Sequence, residues 1–331
     1  MRELKILAVV VFFTLVTYWG VEPFAHSQMH KHVEGQEFIY NGTADIKGAE
    51  AALEKAKAEG TDTAAAQAKV EAKKAFWADV EKIAQLQGNA ANGEAAFATC
   101  LGCHNGAGVN MGGVIPPNLD HAGSLYDKNY LIALIKDPAM ASNVDHKYED
   151  TMTHPMGSIK GMITDDQQIA DIVAYMQEKM AGEVTTKEAF DEACARCHAM
   201  RYAKTTQLGD TPEFKHEKDA LAHEIKVLEE QELVKTYMGK LPPDLSIMIR
   251  ARSEHFMETF VENPQTQLAG TSMPRVGLNK EGYEKVKTYL EEVGDPSKPA
   301  REAIGPWVIL FFVVFTVLAY LWKKSQWRDL H

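Results

Sequence analysis

The sequence predicts an all-α chain: two tandem helical domains between an N-terminal and a C-terminal transmembrane helix. Three observations predict it. No apolar–polar alternation with the two-residue period of a strand persists anywhere. A long apolar run stands near each end of the chain. Between these runs one order of landmarks occurs twice.

The first run covers residues 6–21 and follows Arg2 and Lys5. It ends at Tyr18, Trp19 and Pro23 without a clean small-x-small cleavage site, so residues 1–25 are expected to stay as an anchor; a cleaved signal peptide is the alternative. The second run covers 303–322, with no charge inside it and with Trp307, Tyr320 and Trp322 near its ends. A bilayer core takes about 20 apolar helical residues, and aromatic rings settle at its interfaces. Lys323, Lys324 and Arg328 follow, in a tail of residues 323–331. Because cytoplasmic flanks carry the Lys/Arg excess, both tails are expected in the cytoplasm and the middle of the chain outside an inner membrane, in the periplasm.

Residues 26–87 form the next region. His26, His30 and His32 open it; they read as a polar juxtamembrane segment, with a metal site as the sharper alternative. Residues 47–86 are rich in Ala, Lys and Glu and broken at Gly60. Their composition favours helix, and Phe76, Val80, Ile83 and Leu86 recur at helical spacing, as a face packed on the next domain would.

The four cysteines lie in Cys100-Leu101-Gly102-Cys103-His104 and Cys194-Ala195-Arg196-Cys197-His198. C-x-x-C-H is the covalent haem attachment sequence, in which both sulfurs are bonded to the macrocycle and the adjacent His is held under the iron. Zinc, a pair of disulfides and a thioredoxin-like redox pair are the alternatives. Zinc needs no His after each second Cys, a two-residue disulfide ring is strained, and no βαβ pattern accompanies the motifs.

Each motif is followed by the same landmarks. Behind the first come Pro116-Pro117-Asn118-Leu119, Asp137-Pro138 and His154-Pro155-Met156, then an apolar-periodic stretch at 169–176. Behind the second come Pro242-Pro243-Asp244-Leu245, Asn263-Pro264 and Ser272-Met273-Pro274, then a similar stretch at 286–290. Pro116 to Pro138 and Pro242 to Pro264 both span 22 positions. The order defines domains at 88–182 and 185–293 and resembles class I cytochrome c, where a late Met is the sixth iron ligand. That resemblance assigns Met273 to the second haem and Met156 to the first, with Met152 and His154 as competing ligands in the same loop. A His ligand there would lower the potential of that haem. Met111 and Met162 read as packing residues.

The second domain contains an insertion at 212–239, with an amphipathic helix at 221–230; His216 and His223 are expected to face solvent. Residues 294–302, rich in Pro, read as a stiff linker.

Residues 190–331 resemble cytochrome c1, the haem subunit of quinol–cytochrome c oxidoreductase. The residues that carry this are Cys194 to His198, Ala199-Met200-Arg201-Tyr202, Pro242-Pro243-Asp244-Leu245-Ser246 and Arg250-Ala251-Arg252, together with the C-terminal anchor. The resemblance implies that Arg252 pairs with a haem propionate, that the partners are cytochrome b and Rieske iron–sulfur subunits in a dimeric complex, and that the acceptor is a soluble cytochrome c or a terminal oxidase. The extra haem domain in front implies a two-haem bacterial variant that makes and breaks no substrate bond of its own. A two-haem oxidase subunit and a two-haem peroxidase are the alternatives.

Net charge is -11, with no long Lys/Arg run. Nucleic acid is therefore not an expected partner, since phosphate binding needs clustered positive charge. The acidic balance either keeps the domains soluble or steers a basic protein partner.

Overall fold

The computed structural model describes residues 2–29, 33–104, 114–148 and 150–328, without the side chains of 26–29 and 151. Among them helices dominate. They fall into two compact units, one of Met1–Gly112, Asn118–Glu183 and Glu254–Tyr283, the other of Gly113–Pro117, Val184–Ser253 and Glu284–His331.

The first unit starts with α1 (Arg2–Val16), a π-helical turn (Thr17–Val21) and α2 (Glu22–Met29). The stretch Arg2–Ala25 is long and apolar enough to cross a membrane, and none of its apolar window is buried among the described residues. Next come α3 (Thr43–Glu59) and α4 (Thr63–Ala84). They replace one long Ala-rich helix because Gly60 takes φ +67° and Asp62 caps the new start by accepting the Ala65 N–H at 3.0 Å. Phe76, Val80 and Ile83 are buried as their spacing predicts, with Trp77 beside them. Leu86 lies beyond the end of α4 and is half-buried.

Helix α5 (Ala90–Phe97) leads into the first cysteine turn. Then follow α6 (Ala122–Leu125), α7 (Lys128–Lys136), α8 (Pro138–Ser142), α9 (Ile159–Met162) and α10 (Asp166–Lys179). Helix α5 crosses α10 at Gly93, where a Cβ would lie 2.0 Å from the Asp171 carbonyl oxygen. The crossing therefore requires glycine. Phe97 and Tyr175 meet there at 5.3 Å, over the buried Ile169, Ile172, Val173 and Met176 of α10.

The second unit opens with α11 (Thr186–Ala193), started by a reciprocal capping box between Thr185 and Glu188. A two-residue hairpin, β1 (Thr205–Thr206) with β2 (Gly209–Asp210), turns on Gly209 at φ +90°. Helices α12 (Glu217–Met238) and α13 (Met248–Ala251) follow. The chain returns to the first unit for α14 (Glu254–Glu262) and α15 (Pro264–Gln267). It ends with α16 (Lys280–Gly294) and α17 (Lys298–Trp327). Phe190 of α11 meets Tyr289 of α16 at 5.0 Å, so the aromatic pairing of α5 with α10 is repeated.

Two features depart from the sequence expectation. Residues 254–283 pack with the first unit although they follow the second cysteine motif. The Glu262 carboxylate accepts the backbone N–H groups of Gln36 and Phe38 at 2.8 and 2.6 Å, and Asp127 N–H donates to Gly277 at 3.0 Å. The expected linker at 294–302 shrinks because α17 already begins at Lys298. Pro299 sits in its first turn, where a missing N–H costs nothing. Lys298–Trp327 is again long and apolar enough to cross a membrane.

Candidate haem sites

Both cysteine motifs fold into the same tight turn. In the first, the Cys103 and His104 N–H groups donate to the Cys100 carbonyl at 3.1 and 2.9 Å. In the second, Cys197 and His198 do the same to Cys194 at 3.2 and 3.0 Å. One turn of backbone thus delivers two sulfurs and an imidazole together. None of the four cysteines is in a disulfide. Burial holds the Cys100 thiol up to about 11 and the Cys194 thiol up to about 12, so both are neutral at pH 7.

The second turn is fixed by a downstream segment. His198 Nδ1–H donates to the Pro243 carbonyl at 2.8 Å, which leaves Nε2 as the lone-pair nitrogen for a metal. Around this bond the chain is stitched residue by residue. Leu245 N–H donates to Ala199 O at 3.0 Å, Arg201 N–H to Asp244 Oδ2 at 3.0 Å, and Tyr202 N–H to Ser246 Oγ at 3.1 Å. The Pro-Pro-Asp-Leu-Ser stretch is therefore the clamp on His198. Sequence reasoning used the Pro-Pro pair as a repeat marker and as part of the cytochrome c1 resemblance, not as a partner of the histidine; its recurrence at a fixed distance was the signal for this role. Gln207 Nε2–H donates to Cys197 O at 3.2 Å, and Gln207 Oε1 accepts from Gln231 Nε2–H of α12 at 3.1 Å. The buried face of the inserted helix α12 thus backs the attachment turn.

These residues fit covalent haem. The Cys100 and Cys194 thiols are neutral, His198 has its second nitrogen engaged, and Arg196 Nε between the cysteines is buried without a hydrogen-bond partner. A half-buried guanidinium with one N–H left unpaired suits a bound anion such as a propionate.

The sixth-ligand candidates separate clearly. Met156 is half-buried, while Met152 is 68% exposed. His154 lies between them with both nitrogens occupied. Its Nδ1 accepts the Met156 N–H at 3.0 Å, and its Nε2 faces Ser142 Oγ at 3.1 Å. The Ser142 hydroxyl itself donates to the Pro138 carbonyl at 2.6 Å, so it accepts from His154. Burial pushes the His154 imidazole down to about 4, consistent with a neutral ring. The geometry makes His154 the anchor of the Met156 backbone. Met273 is half-buried on a loop of the first unit, its N–H donating to Thr271 Oγ1 at 3.3 Å.

Several other expectations change. Met162, expected to pack, is 60% exposed, because α9 ends there on the surface. His223, expected in solvent, turns inward against Phe214 at 5.3 Å and buries Nε2 without a partner. It lies one turn from Val227 on the buried face of α12. His216 is exposed at the start of that helix. Arg252 ends α13 with an exposed side chain. Met111, His30 and His32, and the side chain of His26, lie outside the described residues.

Comparison with known proteins agrees with this chemistry. The chain is 24% identical over 190 residues to the ammonia monooxygenase gamma subunit of Nitrosomonas europaea, covering 44% of this chain and 81% of that one. It is 23% identical over 202 residues to cytochrome c1 of Allochromatium vinosum, covering 43% of this chain and 82% of that one. No solved structure matches the chain. Residues 90–179 match the cytochrome c family. The chain therefore carries a cytochrome c domain, which implies covalent c-type haem and a role in haem electron transfer.

Proposed function

We propose that the chain is a two-haem cytochrome c1-type subunit of a quinol–cytochrome c reductase, relaying single electrons from a Rieske iron–sulfur protein to a periplasmic cytochrome c or an oxidase. The clamp of residues 243–246 on residues 198–202 carries the reading, because these are the stretches that resemble cytochrome c1. Similarity to the Allochromatium vinosum cytochrome c1 supports it.

Bound haem supplies the one-electron chemistry. The chain holds and tunes it. Cys100 with Cys103, and Cys194 with Cys197, fix the two macrocycles. His104 and His198 are the proximal ligands, and the Pro243 carbonyl orients His198. Met156 and Met273 are the sixth ligands, a choice that keeps potentials high. Arg252 pairs with a propionate of the second haem, a charge-assisted bond. Two apolar terminal helices hold the protein in the inner membrane, with the haem domains in the periplasm and both tails in the cytoplasm.

Extraction in mild detergent, followed by subunit identification and a pyridine haemochrome assay, tests this. Cytochrome b, a Rieske protein and two haems per chain are expected. A copper–haem oxidase in their place would reassign the subunit, and hydrogen peroxide turnover with a high-spin first haem would make it a peroxidase.

A further inference from the structure

Met273 sits on a loop fastened on both sides. On its amino side, Gln265 Nε2–H donates to Thr271 O at 2.6 Å, and Gln265 Oε1 accepts Gly270 N–H at 3.0 Å. On its carboxyl side, Arg275 N–H donates to Ser142 O at 3.0 Å, and Arg275 O accepts the Tyr130 hydroxyl at 2.9 Å. Gly277, at φ +80°, lies so close to Tyr130 that a Cβ would fall 1.9 Å from the ring. Ser272, Met273 and Pro274 are the residues left between the two clamps.

The Arg275 side chain is 4% exposed and pairs with both carboxylate oxygens of Asp45 on α3. Its guanidinium lies 5.6 Å from the Tyr40 ring centre and 5.9 Å from that of Trp77. Trp77 Nε1–H donates to the same carboxylate at 3.0 Å. A buried ion pair adds little net stability over well-packed apolar residues, because desolvation offsets the Coulomb gain. What it enforces is register: the loop pairs both charges in one position.

We propose that Arg275, locked by Asp45 of the α3–α4 hairpin, is a positioning residue that presents the Met273 thioether to a haem iron. The proposal rests on the reading of Met273 as a sixth ligand. A loop ordered beforehand loses less entropy when its sulfur binds, so the sulfur resists displacement. The hairpin, which carries no haem motif, then serves as a brace for the ligand loop.

The full-length, haem-loaded protein in detergent is used. Each haem is followed by its thioether-to-ferric-iron charge-transfer band, its midpoint potential and its titration with imidazole. Met273→Ala is the reference and is expected to abolish the band of one haem; if both bands survive, the ligand reading falls and the proposal with it. Given that loss, the charge-free pair Asp45→Leu with Arg275→Met strands no buried charge. It is expected to let imidazole bind the same haem about tenfold more tightly, equivalent to about 1.4 kcal/mol of lost preorganisation, and to lower that potential alone. Arg275→Lys keeps the charge but loses the planar fork, and is expected to fall between. It decides by the same criterion where the double variant does not fold. Unchanged imidazole affinity and potential, with Met273→Ala still active on the band, overturn the positioning role and leave the ligand assignment standing.

Discussion

Asp244 should matter far more than the surface arginine it faces. Its side chain is 19% exposed, and its two oxygens accept backbone N–H groups from Ser246 and Arg201, each at 3.0 Å. Hydrogen bonds to a charged acceptor contribute about 1.5–3 kcal/mol each. Asp244→Ala removes both, and water recovers part at a site that is not fully buried, so a loss of about 2–4 kcal/mol is expected. The Arg201 side chain approaches the same carboxylate at 3.4 Å but is 80% exposed, so that ion pair contributes about 0–1 kcal/mol. Arg201→Ala keeps the backbone N–H and with it the bond that matters.

Urea unfolding of the haem-loaded protein, followed through the haem absorbance, separates the two. With a slope of about 2 kcal/mol per molar, Asp244→Ala lowers the midpoint by about 1–2 M and Arg201→Ala by less than about 0.5 M. The potential of the haem on His198 should fall only in Asp244→Ala, because the Pro243 carbonyl then loses its fixed position. Equal midpoint shifts in the two variants would refute the backbone-clamp reasoning and hand the interaction to the surface ion pair.

Gly93→Ala forces a Cβ against the Asp171 carbonyl, so calorimetry should show a destabilisation of about 3 kcal/mol or more and poor haem incorporation at the first motif. His154→Ala releases the Met156 N–H and should cost about 1–2 kcal/mol in urea titrations while the charge-transfer band of the first haem persists; absence of that band from the unsubstituted protein would make His154, and not Met156, the ligand. Burial holds the Glu262 carboxyl above its ordinary range despite the N–H groups of Gln36 and Phe38. A raised folded-state value favours the protonated form, so this stability is present below the unfolded carboxylate range and is lost as pH rises through the folded value. Glu262→Gln should flatten that dependence in melting curves taken on either side of the window.

The cysteine turns were legible because their chemistry is local: five consecutive residues make the whole attachment unit. The Gly60 break was legible for the same reason, since one glycine supplies the left-handed turn. The clamp on His198 was not, because the acceptor is the backbone carbonyl of Pro243, and a carbonyl has no residue signature. Asp45 and Arg275 lie 230 positions apart and read in isolation as ordinary surface charges. His223 turned inward against expectation because a ten-residue periodicity shows that a helix has two faces, not which one the fold covers, and Met162 is exposed because α9 ends at the surface.

The two copies of the repeat also show why matching positions need not carry matching side chains. Asp137 and Asn263 each precede a proline that begins a short helix, α8 or α15. Asp137 accepts the Met140 N–H at 3.2 Å, and Lys160 meets its other oxygen at 2.6 Å. Asn263 is 6% exposed and accepts from the amide of Asn143 at 3.1 Å, while the oxygen of that amide takes Lys73 at 2.7 Å. A carboxylate at 263 would be buried facing an amide, so the neutral residue is the one the site tolerates. Between these two prolines, Ser142 at the end of α8 holds His154 through its hydroxyl and Arg275 through its carbonyl. The loops of Met156 and Met273 are thus braced from a single residue, and a disturbance at Ser142 reaches both.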